Sequence, residues 1–243
     1  MIELIRRINC YDSMEKCVDD IVTESNSGCS VVSFLNAHAV NLAYENSDFR
    51  ECLLSSTFVL RDGVGVEIAC RVMSEKSGNN MNGTDLIPLV LEEFSRGGGN
   101  VYFFGGTQVA IDRLRDIYKS NGTARYFFLN GFLDDVQYFK MLEETMVSRN
   151  LLIIGMGMPK QEMLSKRISN RFTESNIVVL NGGAIIDRLS GMISRGPVFF
   201  RRMNIEWLYR LILSPRRLFK RYVVGNPLFL YRLFCLRFYG IDI

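Results

Sequence analysis

The fold of this chain is decided by the stretch Leu151-Leu152-Ile153-Ile154-Gly155-Met156-Gly157-Met158-Pro159-Lys160-Gln161-Glu162, in which an apolar run ends at two glycines. A second stretch, Ile177-Val178-Val179-Leu180-Asn181-Gly182-Gly183-Ala184-Ile185-Ile186-Asp187, repeats this order. Each is typical of a buried parallel strand that stops at glycines and leads into a helix. The backbone can approach a ligand closely at such a junction, and the first helical N–H groups point outward. The two stretches therefore predict a phosphate-binding edge of a parallel sheet.

Further apolar runs predict four more strands, at Val31–Leu35, Thr57–Arg61, Val101–Phe104 and Tyr126–Leu129. The segments between strands have helical spacing, for example Ala39–Leu54, Gln108–Lys119, Asp134–Ser148 and Gln161–Phe172. Strands that alternate with helices indicate an α/β fold with a doubly wound, mostly parallel, Rossmann-like sheet. Ligands of such sheets bind at the carboxyl ends of the strands, so the turns that follow the strands are the candidate binding residues.

The charge distribution divides the chain in two. Residues 194–243 contain ten basic and two acidic residues, a net charge of +8, whereas residues 1–193 contain 19 basic and 24 acidic residues. We therefore predict a Rossmann-like domain over 1–193 and a basic, apolar helical appendage over 194–243. The helix that begins at Asn226-Pro227 is too short to span a bilayer, and its composition suits an anionic membrane surface or a protein partner. The acidic body argues against a nucleic-acid partner.

The cysteines and the histidine limit the chemistry. The six cysteines form no C-x-x-C pair, which is typical of reduced, cytosolic thiols. His38 is the only histidine, so a multi-histidine metal site is excluded. We expect no bound metal and no cofactor.

Two of the glycine turns have open interpretations. Asp62, in Asp62-Gly63-x-Gly65, could be a general base at the mouth of the sheet or an ordinary helix N-cap. Gly105-Gly106 could bind an anion or could simply end a strand.

The turn Gly155-x-Gly157-x-Pro159-Lys160-Gln161-Glu162 carries more polar residues than a turn needs. Lys160 lies where a dinucleotide fingerprint has its third glycine, which argues against NAD or FAD. Asp187, one helical turn after Gly183, could bond a ribose hydroxyl or pair locally.

Taken together, the motifs resemble those of the WecG/TagA/CpsF glycosyltransferase family from about Val31 to Leu233. The resemblance rests on Asn36, Asp62-Gly63-x-Gly65, Gly83-x-Asp85-Leu86, Gly105-Gly106, the Gly155–Glu162 turn, Gly182-Gly183-x-x-x-Asp187-x-x-x-Gly191, Arg195-x-Pro197, Glu206-Trp207-Leu208-Tyr209-Arg210 and Pro215-Arg216-Arg217. The order of the motifs and the last two blocks together are specific to the family.

The resemblance implies an inverting, metal-independent transferase that moves a sugar from a UDP-sugar to a polyprenyl-diphosphate-linked sugar in surface polysaccharide biosynthesis. It implies that Asp62 is the general base, that Asn36 lies close by and that Gln161 lines the site. The donor is then expected to contact the turn residues Gly63, Gly105, Gly106, Gly155, Gly157, Pro159, Lys160, Gly182, Gly183 and Asp187. The arginines of the tail would close over the diphosphate, and the candidates are Arg195, Arg210, Arg217 and Arg221.

The same resemblance implies a cytoplasmic protein bound peripherally to the inner face of the cell membrane. Asn80 stands where many members have Arg, and Phe34 where the wall-polymer enzymes often have Thr. The donor sugar is therefore left open among N-acetylmannosamine-type sugars, uronic acids and hexoses, and a homo-oligomer is also left open.

Rival interpretations are a nucleotide-dependent oxidoreductase or methyltransferase and an inactive membrane scaffold. The first would prefer a glycine-rich turn after the first strand, where this chain has Asn36-Ala37-His38.

Overall fold

Six parallel strands form one sheet in the part of the chain that this computed structural model describes, which comprises residues 1–119, 123–193, 196, 206–213 and 215–242. The strands are β1 (Cys29–Leu35), β2 (Phe58–Arg61), β3 (Gly99–Gly105), β4 (Ala124–Leu129), β5 (Asn150–Gly155) and β6 (Ile177–Asn181). Their order across the sheet is β2-β1-β6-β5-β3-β4. Each strand coincides with one of the predicted apolar runs, and the doubly wound, parallel α/β fold is confirmed.

Helices connect and cover the strands. They are α1 (Ile2–Arg6), α2 (Met14–Glu24), α3 (Ala37–Glu45), α4 (Ser47–Ser55), α5 (Val64–Val72), α6 (Gly83–Arg96), α7 (Gln108–Tyr118), α8 (Asp135–Thr145), α9 (Lys160–Arg171), α10 (Ile185–Leu189), α11 (Glu206–Leu213), α12 (Pro215–Phe219) and α13 (Gly225–Tyr239). A π-helical turn (Lys220–Val224) joins α12 to α13.

Alternate residues of the strands pack into opposite helical layers. Val101 and Phe103 of β3 lie in the cluster formed with α2, α6, α7 and α10, whereas Tyr102 and Phe104 lie in the cluster formed with α8 and α9. The helix that follows β3, α7, therefore covers one face of the sheet, whereas α9, which follows the neighbouring β5, covers the other face. This divergence is the topological switch point at which such sheets bind ligands.

The predicted helix Ala39–Leu54 is two helices, α3 and α4. Asn46 ends the first, and its side chain caps the second by accepting a hydrogen bond from the Phe49 amide at 2.9 Å. The apolar spacing continues across this break, so periodicity alone could not reveal it, although Asn is a favoured capping residue.

The C-terminal helix α13 packs in the core of the preceding domain. Phe229 and Leu233 are buried in the same cluster as residues of α3 and α5. Asn41 of α3 donates to the Gly225 carbonyl at 2.6 Å and accepts from Arg232 at 2.8 Å. The appendage predicted for 194–243 therefore ends in a helix that is docked on the body. Among the described residues, no helix combines the length and apolar character that crossing a bilayer requires.

Candidate active site

The carboxylate of Asp62 is held by Asn36 at the carboxyl edge of the sheet. The Asp62 amide donates to the Leu35 carbonyl at 2.9 Å, which brings the ends of β1 and β2 together. Asn36 then donates its amide to Asp62 Oδ2 at 3.1 Å, while its own Oδ1 caps α3 by accepting from the Ala39 amide at 3.0 Å. The Asn36 side chain is thus fixed at both ends, and it orients one carboxylate oxygen of Asp62.

The alternative interpretation of Asp62 as a helix cap is wrong. The N-cap of α5 is Gly63, and no side chain caps this helix. The half-buried Asp62 carboxylate therefore has no role in terminating a helix, and its recorded partner is Asn36.

The turn after Asp62 is fastened to a loop that is distant in sequence. Asn80 Oδ1 accepts a hydrogen bond from the Gly63 amide at 2.8 Å. Arg61, only 5% exposed, donates to the Gly78 carbonyl at 3.0 Å and forms an ion pair with Glu67 at 3.0 Å. These contacts hold the backbone next to Asp62 in one position.

Gln161 lies beneath the two glycine turns and joins them. Its Oε1 accepts from the Gly157 amide at 3.1 Å and from the Gly183 amide at 2.8 Å, and the side chain is almost fully buried. These two amides, expected to face a phosphate, donate instead to a side chain of the same protein. Gln161 therefore ties the β5–α9 turn to the β6–α10 turn.

The seven glycines predicted to contact the donor fall into two groups. A Cβ on the first group would meet neighbouring atoms at 2.2 to 2.6 Å, so the packing of the chain itself requires glycine at Gly105, Gly106, Gly155 and Gly182. A Cβ on the second group would meet nothing within 4 Å, and each of these residues has a positive φ angle: Gly63, Gly157 and Gly183. Only the second group leaves open space where a ligand can approach the backbone.

The remaining predicted residues lie around the same edge. Lys160 donates to the Gly131 carbonyl at 2.7 Å and so joins the turns after β5 and β4. Pro159 immediately precedes α9, and Asp187 lies in the short helix α10, where its carbonyl accepts from Ser190 Oγ at 3.1 Å.

Arg221 is the one of the four predicted tail arginines whose side chain lies within the described residues. Burial, with the charge of Arg221 as a second cause, lowers the pKa of His38 to about 4, and His38 lies in the first turn of α3 beside Asn36. Arg195 lies outside the described residues, as do the side chains of Arg210 and Arg217. Within the described residues, no three His, Cys, Asp or Glu side chains lie close enough together to hold a metal ion.

Two polar residues of the site were not singled out from the sequence. Arg61 is a charged residue at the end of an otherwise apolar strand, which is a signal that could have been used. Glu162 is fully buried beside Gln161, although it lies in the first turn of a helix, where an acidic residue is ordinarily explained by the helix dipole.

Comparison with known proteins identifies relatives of this chain. The chain is 26% identical over 199 residues to the N-acetylglucosaminyldiphosphoundecaprenol N-acetyl-beta-D-mannosaminyltransferase of Bacillus spizizenii, covering 80% of this chain and 75% of the relative. The enzyme of the same name from Staphylococcus aureus is 25% identical over 235 residues, covering 91% of this chain and 87% of the relative.

The profile of the Glycosyl transferase WecG/TagA/CpsF family matches residues 4–240, nearly the whole chain. The protein therefore belongs to this family of glycosyl transferases.

Proposed function

We propose that this protein transfers a sugar from a UDP-sugar to a polyprenyl-diphosphate-linked sugar, with inversion at the anomeric carbon and without a metal ion. The observation that carries the proposal is the Asp62 carboxylate held by Asn36 at the ligand-binding edge of the sheet. The names of the relatives, which describe transfer of N-acetylmannosamine to a lipid-diphosphate sugar, support the class of acceptor and one class of donor.

Asp62 is the proposed general base. It accepts the proton of the acceptor hydroxyl while that oxygen attacks the anomeric carbon and the bond from this carbon to the UDP oxygen breaks. Attack from the side opposite the leaving group inverts the anomeric carbon. The hydrogen bond from Asn36 to Oδ2 keeps the carboxylate in one orientation during this step.

The leaving diphosphate needs compensation of its negative charge. The open backbone at Gly63, Gly157 and Gly183 gives it room along the carboxyl edge of the sheet. Lys160, which contacts the turn after β4, and Arg221, whose charge acts on His38 of α3, are the proposed cations. A guanidinium suits the task because its planar fork can bond two phosphate oxygens.

The proposed acceptor has a lipid chain, and the surface of the C-terminal segment fits a membrane. Phe234 and Phe238 of α13 are exposed on the side opposite the buried Phe229 and Leu233. The basic residues Lys220 and Arg237 of the same C-terminal segment are also exposed. Aromatic side chains with interspersed cations favour the interface of an anionic bilayer, so we propose peripheral binding to the cytoplasmic leaflet.

The direct experiment measures UDP release from a panel of UDP-sugars in a buffer containing a chelator, with and without a prenyl-diphosphate-sugar acceptor. We expect acceptor-dependent UDP release from one class of donor. Absence of release from every donor, or release only after manganese or magnesium is added, would contradict the proposal.

A thermal-shift comparison of UDP, NAD and S-adenosylmethionine tests the alternative class of nucleotide-dependent enzyme. Stabilisation by UDP alone is the expected result, because a ligand that binds only the folded state raises the melting temperature.

A further inference from the structure

The orientation of the Gln161 amide is imposed from both ends. Its oxygen accepts from the Gly157 and Gly183 amides, so its nitrogen must face away from both turns. That nitrogen donates to Glu162 Oε1 at 2.8 Å. A flipped amide would set N–H groups against N–H groups, and Glu162 therefore selects the orientation that joins the turns.

Glu162 occupies an unfavourable place for an acid. It is fully buried, and its second oxygen, Oε2, has no hydrogen-bond partner in the described part of the chain. The cation one turn further along α9, Lys166, forms an ion pair with Glu51 at 2.7 Å. A buried carboxyl group with an unbonded oxygen costs stability, which suggests that its retention serves another purpose.

Several elements that pack against α9 carry ionisable groups. This helix packs against α4, α8, β1, β5 and β6. The ionisable groups on the facing elements are Asp48, Arg50, Glu51 and Cys52 of α4, Asp135, Tyr138 and Glu143 of α8, and Cys29 of β1, while β5 and β6 carry none. Burial raises the pKa of the Cys52 thiol, and it raises the pKa of Cys29 to about 12. Burial also raises the pKa of Glu162 from 4.5 to about 7.

We propose that Glu162 is a positioning residue for the sugar transfer proposed above, on which this inference rests. Through the Gln161 amide, Glu162 holds the β5–α9 and β6–α10 turns at the separation that the donor diphosphate requires, and it does so as an uncharged acid. Ionisation places an unpaired negative charge beneath the turns and weakens the binding of the anionic donor.

The test uses full-length protein and measures kcat and KM for the UDP-sugar across neutral pH. Glu162→Gln keeps a carbonyl that accepts from Gln161 but has no proton to lose. Glu162→Leu is of similar size and removes the acceptor. Ile168→Val alters a buried residue of the same helix that does not contact Gln161, and it serves as the matched control.

We expect the donor KM of the wild-type and Ile168→Val proteins to rise about tenfold as pH passes through neutrality, because about 1.4 kcal/mol of repulsion between the buried charge and the anionic donor has this effect. The donor KM of Glu162→Gln should not change with pH. Glu162→Leu should have a raised KM at every pH, with kcat little changed because Asp62 is untouched.

A Glu162→Gln protein that keeps the wild-type pH dependence of KM would overturn the inference, as would a folded Glu162→Leu protein with the wild-type KM. If Glu162→Leu does not fold, the pH profile of Glu162→Gln decides. If the wild-type protein transfers sugar from none of the UDP-sugars, the proposed function itself is refuted. If the wild-type protein is active, and Glu162→Gln and Glu162→Leu have the same donor KM as the wild type at every pH, only the role of Glu162 is refuted.

Discussion

The Asn36 side chain performs two tasks that mutagenesis can separate. Its oxygen caps α3, and its nitrogen orients Asp62. The capping task is not unique, because Asn46 caps α4 in the same way with a 2.9 Å hydrogen bond. Asn36 and Asn46 are therefore helix caps of similar geometry, but Asn36 also contacts the Asp62 carboxylate.

We predict that Asn36→Ala and Asn46→Ala each lower the free energy of unfolding by about 1 kcal/mol, the usual effect of a lost cap. Only Asn36→Ala should lower kcat, by about 10- to 100-fold, because the base loses its fixed orientation. Urea unfolding and steady-state kinetics measure the two effects. Equal kcat values for the two variants would show that Asn36 is only a cap.

Asn80 holds the backbone that follows Asp62, through the Gly63 amide. Because it holds the Gly63 amide, Asn80→Ala should lower kcat by about tenfold by releasing the turn. The adjacent Asn79→Ala is the matched control, since Asn79 contacts the segment around Tyr11 and Asp12 instead. Unchanged kinetics for Asn80→Ala would remove this residue from the site.

At the scale of elements, α13 presents two different faces. Phe229 is 1% exposed in the core cluster of α3 and α5, and a Cβ on Gly65 would lie 3.6 Å from its ring. Phe234, five residues further on, is 48% exposed. The helix is therefore part of the support behind the Asp62 turn on one side and a candidate membrane contact on the other. A chain that ends near Met192 would lose both, so single substitutions are the sharper test.

We predict that Phe229→Ala lowers the free energy of unfolding by about 3–5 kcal/mol, as expected for a large cavity in a core. Phe234→Ala should leave stability nearly unchanged and should lower the partition coefficient onto anionic liposomes by about tenfold. Chemical unfolding and liposome sedimentation measure the two quantities. The assignment of faces is wrong if Phe234→Ala destabilises the fold or leaves liposome binding intact.

For the whole molecule, the buried acid Glu162 predicts a pH dependence of stability. Its pKa is raised on folding from 4.5 to about 7, so the folded state binds the proton more tightly than the unfolded state. The stabilisation from this protonated acid is present in full below about pH 4.5 and is lost as the pH rises through about 7.

We predict that, between these limits, the free energy of unfolding of the wild type falls relative to Glu162→Gln by up to about 3 kcal/mol. Urea titrations of both proteins at mildly acidic and mildly alkaline pH measure this difference. Parallel pH curves would mean that Glu162 does not titrate in this range.

Much of the architecture was predictable because its determinants are local. Each strand is an apolar run that ends at a turn signal, and the carboxyl ends of parallel strands meet at one edge, so Asn36, Asp62 and the glycine turns could be assigned to one site. The break at Asn46 was missed because the apolar spacing continues through it. The contacts of Asn80 and Gln161 could not be predicted, because they join segments whose proximity arises only when the sheet assembles.

The glycines illustrate the same limit. Their pattern predicts close approach of the backbone without saying what approaches. At Gly105 the neighbour is the backbone of Gly155, whereas at Gly157 the space is open. Sequence alone cannot separate a glycine required by packing from one that leaves room for a ligand.

The most direct test of the proposed chemistry is the rate of acceptor-dependent UDP release by Asp62→Asn, measured in the presence of a chelator with the UDP affinity of the same protein. Asparagine preserves the shape and the contact with Asn36 but cannot accept the proton. We predict that kcat falls by about 10²–10⁴-fold while the Kd for UDP stays near the wild-type value. Near-normal turnover by Asp62→Asn would contradict the assignment of Asp62 as the general base.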